Sequence, residues 1–143
     1  MGIGAYDFND MIHHVASECA VNDQLAAELA EKYQFVMVDE FQDLSNSQSQ
    51  LVEGILRGSV NPNILTVGDD DQSIYRFQGA NLENMLHFST KYPDTGVLVL
   101  GENYRSNTEI LETASALISH NTTRLSKLIP SIVKPLVSAR GDG

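Results

Sequence analysis

Three short apolar runs recur along the chain, and each stops abruptly at a polar cluster. Residues 35–38 run into Asp39-Glu40, residues 64–67 into Gly68-Asp69-Asp70-Asp71-Gln72, and residues 97–100 into Gly101-Glu102-Asn103-Tyr104-Arg105. Apolar runs of this length read as buried strands of a parallel sheet. The stretches between them carry apolar residues at helical spacing: Leu51, Val52, Ile55 and Leu56 in one, Leu82, Met85 and Leu86 in another. Strands alternating with helices require right-handed crossovers. The expectation is an α/β fold with at least three parallel strands flanked by helices. Residues 39, 69 and 103 should share one edge, the edge at which open α/β sheets bind ligands.

Local signals place the helices. Asp7 can cap a first helix with Phe8, Met11, Ile12, Val15, Ala16 and Cys19 on its apolar stripe, and Asp23 can cap a second. Ser45 with Gln48, or Ser47 with Gln50, fits a capping box, as does Ser106 with Glu109 before Ile110, Leu111, Ala114, Leu117 and Ile118. After Asn121 the periodicity weakens and Pro130 and Pro135 interrupt it, so the tail is expected to be irregular. Cys19 lies on an apolar stripe and reads as core. His13 and His14 are adjacent, face different ways and suit no shared metal.

The charge balance narrows the function classes. A chain of 143 residues with 19 acidic and 9 basic side chains, net −10, does not grip nucleic acid by overall charge. Four of the basic residues, Arg124, Lys127, Lys134 and Arg140, fall in the tail beside a single acid, Asp142. One cysteine excludes an internal disulfide and points to a reducing, cytoplasmic setting. No apolar run approaches the ~18 residues of a membrane span.

The acidic pair after the first run carries specific chemistry. In nucleotide hydrolases the first carboxylate after such a strand holds Mg²⁺ and the second orients or deprotonates the attacking water. That makes Asp39 the candidate metal ligand and Glu40 the candidate base. Two acidic clusters and an arginine facing one crevice suit a Mg-bound polyphosphate. The plain alternative is three ordinary strand-to-helix loops.

These residues carry a resemblance. The stretch from Tyr6 to Lys127 resembles the UvrD/Rep/PcrA type of superfamily 1 DNA helicase. Val38-Asp39-Glu40-Phe41-Gln42-Asp43 is similar to its Walker B motif, and Val67-Gly68-Asp69-Asp70-Asp71-Gln72-Ser73-Ile74-Tyr75 to its third motif. Asn103-Tyr104-Arg105-Ser106 is similar to its fourth, and Asp7-Phe8-Asn9-Asp10 to a minor upstream motif. The resemblance implies a P-loop NTPase, RecA-like motor core: a three-layer sandwich around a parallel sheet, here incomplete. It implies ATP and Mg²⁺ as cofactors and single-stranded DNA as partner, with ATP-driven 3′ to 5′ translocation and duplex unwinding in repair or replication. Asp39 would help hold Mg²⁺ and Glu40 would activate water. Gln72 and Arg105 would contact the γ-phosphate, Tyr104 would stack on adenine, and Tyr75, Arg76 and Phe77 would face DNA. The family commonly follows the third-motif tyrosine with a small residue, an aromatic and an arginine; here Arg76-Phe77-Gln78 stands there.

One motif is absent. No lysine follows a glycine, so there is no Walker A loop to cradle phosphates. The expectation is an internal piece of a longer motor, missing the remainder of its polypeptide and inactive alone. Residues 1–121 would be the later part of the ATP-binding domain, and 122–143 the start of a following segment or a disordered tail. Two other readings stay open: a Mg-dependent nuclease using Asp39, Glu40, Asp69, Asp70 and Asp71, and a non-catalytic module with a helicase-like fold.

Overall fold

Asp7 opens the first helix. It accepts the backbone N–H of Asp10 at 2.8 Å while Asp10 accepts that of Asp7 at 3.1 Å, a capping box on α1 (Phe8–Val21). The computed structural model describes residues 6–73, 82–122, 124–129 and 132–142. The chain divides into two units, Met1–Phe88 and Ser89–Gly143.

In the first unit, α1 is followed by α2 (Asp23–Lys32), β1 (Val36–Val38), α3 (Asn46–Leu56) and β2 (Ile64–Thr66). Helices α1 and α3 pack through small residues. Cys19 is completely buried, and a Cβ added to Gly54 would lie 2.6 Å from its Cβ, so only glycine lets the helices approach this closely. Ser45 and Gln48 close the expected capping box on α3. Strands β1 and β2 pair in parallel, with Val36 opposite Ile64, Met37 opposite Leu65 and Val38 opposite Thr66. Two further bonds carry the pairing past the ladder: Val67 N–H donates to the Val38 carbonyl at 2.8 Å, and Phe41 N–H to the Val67 carbonyl at 2.9 Å. Alternation leaves Met37 and Leu65 exposed while their strand neighbours are half-buried. Each strand is followed by a single 3₁₀ turn, Phe41–Asp43 and Asp70–Gln72.

Helix α4 (Leu82–Lys91) runs through the boundary between the units. The second unit holds β3 (Glu102–Asn103), α5 (Thr108–Ile118), α6 (Leu125–Leu128) and β4 (Val137–Ser138), with Leu111 and Leu125 buried. Strands β3 and β4 pair in parallel. Lys127 Nζ donates to the carbonyls of Ser119 at 3.1 Å and Asn121 at 2.6 Å, satisfying orphan acceptors just beyond α5. No helix among the described residues is long and apolar enough to cross a membrane.

The architecture is mixed α/β with two small parallel sheets, and it corrects several expectations. Residues 97–100 do not form the third strand: Val97, Leu98 and Leu100 are exposed, and the described pairing starts later, at Glu102. A buried strand needs a neighbour for its backbone, and here β4 pairs with the polar stretch instead, Val137 N–H donating to Gly101 O at 2.8 Å and Ala139 N–H to Asn103 O at 2.9 Å. Among the described residues the sheet of the first unit has two strands, β1 and β2, and residue 103 belongs to the second unit. The tail expected to be irregular supplies α6 and β4. Asn22 caps α2 in place of Asp23, and Asn107 caps α5 in place of Ser106.

Candidate functional site

The turn after β1 sets the geometry. Asp39 Oδ1 accepts the backbone N–H of Glu40 at 2.9 Å, and Glu40 takes up the left-handed conformation, φ 49° and ψ 44°. It is the sole non-glycine with positive φ among the described residues, and such strained positions cluster at functional sites. The turn sends the next two side chains inward. Phe41 is buried and meets the Phe88 ring edge-on, centroids 5.5 Å apart. Gln42 is also buried, at 1% exposure, the lowest of any polar side chain among the described residues. Its Nε2 donates to Glu40 Oε2 at 2.8 Å, and its Oε1 accepts the backbone N–H of Asp69 at 3.0 Å. A Cβ on Gly68 would come within 2.7 Å of that Oε1, so the approach of the two loops requires glycine there.

The loop after β2 is knit by Asp69. Its Oδ1 accepts the N–H of Asp71 at 3.1 Å and its Oδ2 accepts Gln72 Nε2 at 2.9 Å. Asp70 is buried, and Asp69, Asp70 and Asp71 each offer a carboxylate oxygen within 4.8 Å of the others. Asp39, Glu40 and Gln72 are exposed. Two of the three expected clusters thus meet at the carboxyl ends of adjacent parallel strands. One Asp39 oxygen holds the turn, and an exposed carboxylate is the kind of oxygen ligand that a hard cation takes.

The third cluster belongs to the second unit. Asn103 Oδ1 accepts the N–H groups of Arg105 at 2.9 Å and Ser106 at 2.8 Å, an Asx turn that presents Tyr104 and Arg105 outward. Tyr104 is 71% exposed and donates its hydroxyl to Glu102. That bond, with a smaller contribution from desolvation, pushes the phenol above its ordinary pKa. The Arg105 guanidinium is exposed and makes no hydrogen bond or ion pair among the described residues. Tyr75, Arg76 and Phe77 lie outside the described residues.

A family model described as the UvrD/REP helicase N-terminal domain matches residues 3–93, well over half of the chain. The chain belongs to this family. Its relatives include the ATP-dependent DNA helicase PcrA of Leuconostoc citreum, 36% identical over 121 residues and 85% of this chain. The ATP-dependent DNA helicase UvrD1 of Mycobacterium tuberculosis is 37% identical over 128 residues and 86% of the chain, and PcrA of Bacillus subtilis 42% identical over 96 residues and 67%. The chain spans only 16%, 17% and 13% of the lengths of these three curated relatives.

Sequence reasoning assigned no role to Gln42, nor to Arg140 in the second unit, whose Nη1 donates to the Arg105 carbonyl at 3.0 Å. A signal existed for Gln42: an amide following a carboxylate pair and an aromatic, just past a buried strand, sits where the chain turns inward. Nothing local in the sequence marks Arg140.

Proposed function

We propose that this chain supplies the water-activating and phosphate-sensing part of an ATP-dependent DNA helicase motor. The observation that carries the reading is the Gln42 bridge, which sets Glu40 against the loop holding Gln72. In the hydrolysis step, water oxygen attacks the γ-phosphorus while Glu40 takes the proton. The bond from the γ-phosphorus to the bridging oxygen breaks, and its electron pair leaves with ADP. Asp39 would hold Mg²⁺, which when bound neutralises charge on the β- and γ-phosphate oxygens. Gln72 contacts the γ-phosphate, Arg105 stabilises the charge that gathers there, and Tyr104 stacks on the adenine. Tyr75, Arg76 and Phe77 face single-stranded DNA, where aromatic rings suit any base.

The complete motor is a P-loop, RecA-like sandwich that moves 3′ to 5′ on single-stranded DNA and unwinds duplex in repair or replication, in the cytoplasm. Other parts of a longer polypeptide cover the exposed Met37, Leu65 and residues 97–100. Support for that comes from the apolar character of these surfaces and from the length of the relatives. With no glycine–lysine phosphate loop in its sequence, the 143-residue chain alone does not turn over ATP. The nuclease reading takes second place, because both oxygens of Asp69 already hold the turn together.

The test is Glu40→Gln in the native polypeptide that carries this segment. DNA-stimulated ATP turnover should fall by about 10²–10⁴-fold, the usual worth of a positioned base, with nucleotide binding retained. Unchanged turnover overturns the assignment. A metal-dependent nicking activity on plasmid, lost with the same substitution, would favour the nuclease.

A further inference from the structure

The most deeply buried polar side chain among the described residues joins the two loops and has no function assigned above. Gln42 is 1% exposed, yet neither of its polar atoms serves a helix or strand. One end holds the carboxylate of Glu40, and the other holds the backbone at Asp69, the residue whose own carboxylate holds Gln72. The three links form a continuous path: Glu40 to Gln42 at 2.8 Å, Gln42 to Asp69 at 3.0 Å, Asp69 to Gln72 at 2.9 Å. Gly68 keeps the path short by leaving room for the amide oxygen.

We infer that Gln42 is a positioning residue: its buried amide fixes the Glu40 carboxylate relative to the loop of Asp69 and Gln72, so that the base and the phosphate-sensing glutamine hold one register. The inference rests on the proposed role of Glu40. Its physical basis is the pairing of a strained backbone with a free-ended side chain. The left-handed turn at Glu40 aims its carboxylate outward, but exposed glutamate rotates about three side-chain bonds, and one donor from a buried, immobile amide removes that freedom. A buried amide is costly unless both ends are satisfied, and here both are. Gln42 therefore cannot release Glu40 without stranding its own donor in the interior. An aliphatic residue would fill the same volume without setting either loop.

The substitution that isolates this role is Gln42→Glu in the native polypeptide. It preserves size and the acceptor for the Asp69 N–H, but it removes the donor and sets a carboxylate against Glu40. We expect kcat for ATP to fall ~10²-fold, the cost of a small misplacement of a reacting group. KM for ATP should stay within a few-fold of wild type, while the melting temperature falls, because the new carboxylate is buried beside another. In a Glu40→Gln background the same substitution should cost little further turnover, because the group it positions is already gone. Wild-type kcat in folded Gln42→Glu overturns the inference, as does an undiminished effect in the Glu40→Gln background. If Glu40→Gln itself leaves turnover intact, the reading of Glu40 as the base has failed instead. If Gln42→Glu does not fold, crystal structures of the wild-type protein with and without a non-hydrolysable ATP analogue decide: both Gln42 bonds kept in the bound form support the inference, and an amide turned away from Glu40 there overturns it.

Discussion

Arg140 Nη1 donates to the backbone carbonyl of Arg105 at 3.0 Å, so the end of the chain braces the loop that presents the candidate γ-phosphate arginine. Around it, Ser138 Oγ donates to the Ser106 carbonyl at 2.8 Å, and the Thr108 N–H donates to the Gly141 carbonyl at 3.2 Å. The loop carries an Asx turn inside and a backbone clamp outside. Its side chains can be exposed while its main chain is fixed, the arrangement a contact to a mobile ligand needs.

Arg140→Ala should loosen this clamp without unfolding the unit. The bond is exposed, so its loss should cost no more than ~1 kcal/mol. Hydrogen exchange at the backbone amides of Arg105 and Ser106 should accelerate, while that of α1 and α3 stays unchanged. Unaltered exchange at the two loop amides would show that the Asn103 turn suffices alone.

Gly54→Ala should be far more damaging than its size suggests. The added Cβ would lie 2.6 Å from the Cβ of fully buried Cys19, between two helices that have no flexible side chain to move aside. Overpacking of this kind costs about 1–3 kcal/mol. Gly96→Ala is the control, since nothing lies within 4 Å of its added Cβ. Comparable melting temperatures for the two variants would contradict the close packing of α1 on α3.

How far the sequence alone reached follows from which interactions are local. The switch from apolar strand to carboxylate at Val38-Asp39, and again into Asp69, is written in neighbouring residues. The juxtaposition of those two ends then follows from parallel pairing. The caps at Asp7 and Ser45 were legible to the residue, but two others only to within one, because Asn22 and Asp23, or Ser106 and Asn107, are both good N-caps and only the final backbone chooses. The strand expected at residues 97–100 has the right composition, but composition says nothing of a partner, and the partner β4 comes from a tail whose prolines masked it. Gln42 escaped for a similar reason: its burial depends on Asp69, 27 residues away. Interactions with long sequence separation had to be seen.

Tyr104 offers a pH test. Its hydrogen bond to Glu102 favours the neutral phenol and raises its pKa in the folded state above 10.0. The stability this bond adds is fully present below the unfolded tyrosine pKa of ~10 and is lost as pH rises through the raised value. In a spectroscopic titration of phenolate, Tyr104→Phe should remove a late-titrating component, and Glu102→Gln should move that component back toward 10.0. Glu102→Gln leaving the titration unmoved would show that the two side chains do not pair in solution.

Arg105 is the sharpest test of the function. Its guanidinium is exposed, and the nearest rival explanation, an ion pair with Glu102 or Glu109, is not made: Glu102 is engaged by Tyr104, and Arg105 has no ion pair among the described residues. A structural role would therefore leave little to lose on truncation. A catalytic one would leave much. As the γ-phosphate bond breaks, charge gathers on the phosphoryl oxygens, and a guanidinium can pair with two of them at once where an ammonium cannot. An arginine in that role is worth ~10³–10⁵ in turnover. In the native polypeptide, Arg105→Ala should cut single-strand-stimulated turnover by that order while nucleotide affinity falls much less. Arg105→Lys should rescue poorly, and the melting temperature of both should stay close to wild type. Turnover within a few-fold of wild type would remove Arg105 from the phosphate site, and would leave Glu40, Gln42 and Gln72 to be explained without a cluster from the second unit.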